Sequence, residues 1–134
     1  MQQSIQYIFV YGTLRSDYHH KAHSYMARFF SLKGKASVQG KLYDAIEYPA
    51  GVPTTEDQRI TGELYVIKNA AEMDKAMQVL DEYEGSYDGP ALFRRELVDV
   101  QLENEVVKAW IYWYNRPVEG KKWIASGDIL NSDF

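Results

Sequence analysis

A glutamate at position 84 ends a helical pattern on the side that is expected to face the protein core. Apolar residues recur at helical spacing from Met73 onward, and Glu84 lies seven residues after Met77 and four after Leu80. Burial and the negative end of the helix dipole both disfavour an ionised carboxylate, so we expect the pKa of Glu84 to rise. A carboxylate that exchanges protons near neutral pH is suited to general acid–base catalysis.

Two other environments for Glu84 stay open on the sequence alone. The carboxylate could form an ion pair with Arg94 or Arg95, because structural ion pairs also perturb carboxylates. Alternatively, the end of the helix could fray, which would leave the side chain in solvent.

A second candidate for chemistry is the stretch that follows the first apolar run. Residues 5–11 carry apolar side chains on both faces, which predicts an interior strand, and Gly12 then allows a sharp turn before a helical pattern begins. A strand, a glycine turn and a helix start leave main-chain N–H groups free for a carboxylate or phosphate. An ordinary turn at the end of a strand would show the same pattern.

The histidines offer a weaker candidate. His19 and His23 are four residues apart in the first helical segment, which is the spacing of a metal-binding pair. No third ligand is evident nearby, so an exposed polar face is favoured over a metal site.

Composition limits the class of protein. The 134 residues are 46% hydrophobic and 25% charged, which is typical of one globular domain, expected here over residues 1–134. A net charge of −4 argues against a nucleic-acid partner, and the lack of cysteine excludes disulfides and thiolate chemistry. No signal-like segment or membrane-length apolar run is present, so we expect a cytoplasmic protein without a membrane partner.

The elements that must position these residues are mainly strands. Glycine interrupts two of the predicted strands, at Gly40 and at Gly62, and each glycine predicts a bulge, a bend or a close backbone approach. Residues 48–53 and the tail from Asn115 are predicted to be irregular, with Trp123 folded back onto the body. Strands are predicted in residues 5–11, 36–45, 60–67, 92–102 and 106–114, and helices in residues 17–30 and 69–85. This order indicates an α+β fold, a curled sheet or small mixed β-barrel with two peripheral helices.

Two motifs occur together, Val10-Tyr11-Gly12-Thr13-Leu14-Arg15 and Leu80-Asp81-Glu82-Tyr83-Glu84-Gly85. The pair resembles the gamma-glutamylcyclotransferase-like family, which includes gamma-glutamylamine cyclotransferases and small bacterial relatives, and the similarity extends over nearly the whole chain. The resemblance implies a small mixed barrel that needs no cofactor. It also implies that a substrate loop, formed by Tyr11, Gly12, Thr13 and Leu14, binds the gamma-glutamyl moiety largely through main-chain groups.

The same resemblance assigns the catalytic role to Glu84 rather than Glu82 and places Tyr112 as a pocket aromatic. Phe93 departs from the family, since many relatives have tyrosine there, and this leaves the substrate's identity open.

The implied reaction releases 5-oxoproline and a free amine or amino acid from a gamma-glutamyl compound. The substrate supplies its own nucleophile, so the protein needs to fold it and to provide one base. Two alternatives stay open: a binding module that uses the same pocket without turnover, and a gamma-glutamyl or acyl transferase that uses an external amine.

Overall fold

The structure is a computed structural model that describes residues 5–16, 23–45, 48–83 and 93–131. Within these ranges the strands are β1 (Tyr7–Val10), β2 (Phe30–Gln39), β3 (Lys41–Asp44), β4 (Pro49–Val52), β5 (Arg59–Ile67), β6 (Phe93–Gln101), β7 (Val106–Tyr114) and β8 (Lys122–Trp123). The helices are α1 (His23–Phe29) and α2 (Met73–Tyr83), and short 3₁₀ turns span Ala70–Glu72 and Ile129–Asn131. No helix in the described ranges has the length and apolarity needed to cross a membrane.

Five strands close into a barrel in the order β1-β5-β2-β6-β7. Strand β1 is antiparallel to β5 and parallel to β7, so it is an interior strand and the barrel is mixed. A smaller sheet, in the order β4-β3-β8, accompanies the barrel. The predicted α+β fold, a small mixed barrel with two helices, is confirmed.

The alternation of side chains along β1 separates two apolar clusters. Phe9 and Tyr11 belong to the cluster inside the barrel, together with Ile111 and Trp113 of β7. Ile8 and Val10 point the other way, into a cluster that the two helices cover. The outer cluster receives buried residues from both helices: Met26, Phe29, Met73, Ala76, Met77 and Leu80. The helical spacing of these residues explains why α2 packs against the barrel wall.

Close backbone approach is the function of both predicted strand glycines. A Cβ atom on Gly62 would lie 2.2 Å from the carbonyl oxygen of Val10, and one on Gly40 would lie 3.0 Å from the carbonyl oxygen of Val52. Gly40 also separates β2 from β3, so the single strand predicted over residues 36–45 is wrong. A larger side chain would not fit at this point, where the chain passes from the barrel to the smaller sheet.

Three other local predictions are wrong. Residues 49–52 form strand β4 and not irregular chain, because they pair with β3. Proline is tolerated here since β4 pairs on one side only and Pro49 occupies its first position, where no N–H donor is needed. Phe30 begins β2 and does not end the helix, whose predicted start at residue 17 lies outside the described residues. The tail from Asn115 is not wholly irregular, because Lys122–Trp123 form β8; Trp123 does fold back onto the body as predicted, by pairing with Tyr43, and its side chain is 46% exposed.

Asn69 begins the second helical segment as predicted. Its side chain accepts a hydrogen bond from the main-chain N–H of Ala71 at 3.1 Å. The predicted end of this segment at Gly85 lies outside the described residues, and the single domain expected over residues 1–134 stays a prediction.

Candidate functional site

Several segments meet at one end of the barrel. Because β1 and β7 are parallel, both strands finish at the same end, where Tyr11 follows β1 and Tyr114 closes β7. Strand β6 is antiparallel to β7 and begins there, with Phe93 opposite Tyr114. The predicted substrate loop therefore lies beside the last residues of β7 and the first residues of β6.

The loop is a tight turn, and two of its main-chain donors have no acceptor among the residues that the structure describes. The N–H of Arg15 donates to the carbonyl oxygen of Gly12 at 2.9 Å, which closes the turn. Within the part of the chain that the structure describes, no group accepts a hydrogen bond from the N–H of Thr13 or Leu14. A Cβ atom on Gly12 would lie 3.0 Å from Cγ of Pro49, so glycine fits this contact best. The turn thus presents two adjacent donors that suit an anionic oxygen.

Tyr11 uses its hydroxyl for structure. The hydroxyl donates to the carbonyl oxygen of Tyr112 at 2.5 Å and accepts from the N–H of Gly51 at 3.2 Å. The residue is only 6% exposed and lies in the barrel interior. Its side chain therefore ties the end of β1 to β7 and β4, and only its main chain is placed beside the turn.

A hydrogen bond joins the loop to the end of α2. The hydroxyl oxygens of Thr13 and Tyr83 are 2.7 Å apart, and Tyr83 is the last residue of the helix. Glu84 follows Tyr83 directly in the sequence but lies outside the described residues. Its predicted burial and raised pKa therefore stay predictions. The residue before it, Tyr83, is hydrogen-bonded to the loop.

Asp81 anchors the last turn of α2 to the barrel wall. Its two carboxylate oxygens accept from Nε and Nη2 of Arg95 at 3.0 and 3.1 Å, and Oδ1 also accepts from the hydroxyl of Tyr112 at 2.6 Å. The guanidinium of Arg95 stacks 4.5 Å above the ring of Trp110. The sequence does not predict this role for Asp81, because nothing in it shows which strand residues lie below a helix.

The two arginines that were considered as partners of Glu84 hold other carboxylates. Arg95 is paired with Asp81, and Nε of Arg94 donates to Glu96 at 2.7 Å. Tyr112, the predicted pocket aromatic, is 5% exposed and its hydroxyl binds Asp81.

Phe93 belongs to a cluster of three rings at the same end of the barrel. The ring centroids of Phe93, Tyr48 and Tyr114 lie 5.6 to 6.1 Å apart, with edge-to-face or tilted contacts. Tyr48 directly precedes Pro49, the residue that packs against Gly12. The ring that lacks a hydroxyl, that of Phe93, therefore lies close to the loop.

His23 contacts the loop. Its Nδ1 lies 3.1 Å from the carbonyl oxygen of Leu14, so this nitrogen must carry a proton and donate. His19, the other member of the proposed pair, lies outside the described residues. Among the residues that are described, no group of three histidine, cysteine or acidic side chains is placed to hold a metal ion.

Comparison with known proteins identifies the family. The model of the family described as gamma-glutamyl cyclotransferase, AIG2-like, matches residues 8–131. The chain belongs to this family. The resemblance predicted from the two sequence motifs is therefore confirmed.

Three relatives show the extent of the similarity. The gamma-glutamylcyclotransferase family protein YtfP of Escherichia coli K12 is 36% identical over 129 residues, which cover 94% of this chain and 97% of YtfP. The gamma-L-glutamyl-butirosin B gamma-glutamyl cyclotransferase of Niallia circulans is 36% identical over 109 residues, which cover 81% of this chain and 67% of that enzyme. The crystal structure of YkqA from Bacillus subtilis matches with a TM-score of 0.70 and 27% identity, over 93% of this chain and 39% of YkqA.

The solution structure of ytfP from Escherichia coli also matches, with a TM-score of 0.61 and 31% identity over 93% of this chain. Membership of the family supports a cyclotransferase activity on gamma-glutamyl small molecules in general.

Proposed function

We propose that this protein is a cyclotransferase that releases 5-oxoproline and a free amine or amino acid from a gamma-glutamyl compound, with Glu84 as the general acid and base. The observation that carries the proposal is the pair of main-chain donors at Thr13 and Leu14, held beside the end of the helix that leads into Glu84. The name of the Niallia circulans relative assigns that protein a gamma-glutamyl cyclotransferase activity, which agrees with this proposal.

The proposed reaction is an intramolecular acyl transfer. The α-amino nitrogen of the substrate attacks the γ-carbonyl carbon, so a new C–N bond closes a five-membered ring. The bond between that carbon and the departing nitrogen then breaks, and no water is consumed. Glu84 accepts a proton from the α-ammonium group and returns it to the departing amine.

The loop has two tasks in this scheme. It must hold a flexible chain in a folded shape in which the nucleophile lies close to the carbonyl, and this is mainly an entropic contribution. The N–H groups of Thr13 and Leu14 donate to an anionic oxygen of the substrate, either the α-carboxylate or the oxyanion that develops at the γ-carbonyl. Tyr11 and Gly12 contribute through the main chain, because the Tyr11 hydroxyl is already bonded and Gly12 packs against Pro49.

Three contacts support the choice of Glu84 as the base. The Thr13–Tyr83 hydrogen bond fixes the residue before Glu84 to the loop. Arg95 is paired with Asp81 and Arg94 with Glu96, so each of these two cations already has a carboxylate partner other than Glu84.

Release of 5-oxoproline from a panel of gamma-glutamyl amines, amino acids and peptides tests the proposal. The panel is assayed with the wild type, with Glu84→Gln and with Glu82→Gln, a matched control because Glu82 is an exposed glutamate only two residues before Glu84 in the sequence. We expect Glu84→Gln to lower kcat by a factor of about 10² to 10⁴, the usual contribution of a general acid–base group, and Glu82→Gln to leave it unchanged.

Turnover that persists unchanged in Glu84→Gln would eliminate this residue as the base. If no member of the panel turns over while the wild type still binds gamma-glutamyl compounds, the protein is a binding module and the proposed reaction is wrong.

A further inference from the structure

Glu63 is a buried carboxylate that the proposed reaction does not use. It is 3% exposed and lies in β5, opposite Val10 at the end of β1. Oε1 accepts from the N–H of Ser16 at 2.7 Å and from the Tyr65 hydroxyl at 2.9 Å, while Oε2 accepts from the Ser16 hydroxyl at 2.6 Å. Both oxygens are thus bonded, and two of the three donors belong to one residue.

That residue lies directly after the substrate loop. Ser16 follows Arg15, whose N–H closes the turn onto Gly12, so two successive N–H groups are occupied by internal acceptors. The N–H groups just before them, at Thr13 and Leu14, are the two without an acceptor in the described residues. Glu63 therefore anchors Ser16, the residue that ends the turn carrying the N–H groups of Thr13 and Leu14.

The side chain of Arg15 anchors the same end of the turn through different partners. It is fully buried, and its Nη1 donates to Asp128 at 2.9 Å and to the carbonyl oxygen of Thr61 at 3.3 Å. Two adjacent residues, Arg15 and Ser16, are thus tied to β5 or to the C-terminal segment by charged side chains. Burying charges is costly, and apolar replacements often stabilise a fold equally well. This cost is explained if the loop needs one defined conformation.

We propose that Glu63 is a positioning residue for the reaction, which holds the Gly12–Ser16 turn so that the N–H groups of Thr13 and Leu14 point at the substrate. This inference rests on the proposed function. Glu63 does not touch the substrate in this scheme and acts through Ser16. Its role depends on the geometry of its hydrogen bonds and not on its charge.

Comparison of Glu63→Leu with Glu63→Gln tests this role. Leucine removes all three hydrogen bonds and suits the apolar surroundings. Glutamine keeps all three, because its oxygen can accept from Ser16 N–H and Tyr65 while its amide nitrogen donates to the Ser16 hydroxyl. We expect Glu63→Leu to lower kcat/KM by about tenfold to a hundredfold, as a small displacement of positioning groups can do. Glu63→Gln should stay within about threefold of the wild type, since it preserves that geometry.

A stability control separates positioning from folding. Ile67→Ala, on the same strand but away from the loop, should lower the unfolding temperature without changing kcat/KM at a temperature where the variant is folded. The amide NMR signals of Thr13 and Leu14 give a second readout, and we expect them to shift in Glu63→Leu but not in Ile67→Ala.

A folded Glu63→Leu variant with wild-type kcat/KM and unmoved Thr13 and Leu14 amides would overturn the proposal. If Glu63→Leu does not fold, Ser16→Ala and Tyr65→Phe each remove one side-chain donor, and unchanged activity and amide signals in both would also overturn it. If the wild type turns over no gamma-glutamyl compound, the proposed function fails, while the amide signals still decide whether Glu63 positions the loop.

Discussion

Removing the hydroxyl of Tyr83 should loosen the substrate loop from helix α2. This hydroxyl lies 2.7 Å from that of Thr13, and both groups are partly buried. The bond joins the turn that contains the N–H groups of Thr13 and Leu14 to the residue that precedes Glu84. Tyr83→Phe removes the hydroxyl and keeps the ring, which also packs 5.4 Å from the ring of Tyr25.

The magnitude follows from the nature of the bond. A hydrogen bond between two neutral groups contributes about 1 kcal/mol net, because water replaces it in the unfolded chain. If the loop needs this bond to stay in the conformation that binds the transition state, the variant must supply about 1 kcal/mol to reach that conformation, and kcat/KM should fall about fivefold. Tyr83→Phe and Thr13→Val should each have this effect, and the double variant should lose little more than either single one.

A double-mutant cycle on 5-oxoproline release and on urea unfolding measures this coupling. The cycle is needed because each single substitution also alters other contacts of its side chain. Tyr7→Phe is the matched control, since the Tyr7 hydroxyl has no hydrogen-bond partner among the described residues, and it should leave both quantities unchanged. Losses from Thr13→Val and Tyr83→Phe that simply add, with a coupling below about 0.3 kcal/mol, would refute the reasoning.

Two further substitutions test how the site is supported. Asp81→Asn should lower the free energy of unfolding by about 2 kcal/mol in urea, because it weakens the charged hydrogen bonds to Arg95 and Tyr112. Gly127→Ala should cost at least about 2 kcal/mol in the same assay, since φ is +73° and a Cβ atom would lie 1.8 Å from the carbonyl oxygen of Arg59.

Matched controls exist for both substitutions. Asp99→Asn breaks an exposed ion pair with Lys108 and should cost no more than about 0.5 kcal/mol. Gly120→Ala carries the same left-handed strain, at φ +80°, but meets no atom within 4 Å, so it should cost about 1 kcal/mol. Equal losses in Asp81→Asn and Asp99→Asn, or in Gly127→Ala and Gly120→Ala, would contradict the respective explanation.

The sequence predicts the barrel well where side-chain patterns are strong. Strand β7 (Val106–Tyr114) is found at the predicted residues, and α2 forms where apolar residues recur at helical spacing. Strand β4 escapes prediction because proline and glycine give it no strand pattern, and it forms only by pairing with β3. The break at Gly40 likewise depends on Ile60 and Trp113, which are distant in sequence.

The candidate site divides in the same way. The turn at Gly12 is visible in the sequence because a strand and a glycine adjoin it. The burial of Glu63 is not, because the alternation along β5 shows which residues share its face but not that Ser16, 47 residues away, supplies the donors. The role of Asp81 is hidden for the same reason, since Arg95 and Tyr112 come from two later strands.

Mass spectrometry of the product formed in ¹⁸O-labelled water tests the central claim most directly. Ring closure by the substrate's own amino group consumes no water, so we predict 5-oxoproline without the label, together with one equivalent of free amine. Glu84→Gln should form this product far more slowly, and samples without protein should form none in the same time. Labelled glutamate as the enzymatic product would show attack by water instead, and it would contradict the cyclotransferase mechanism.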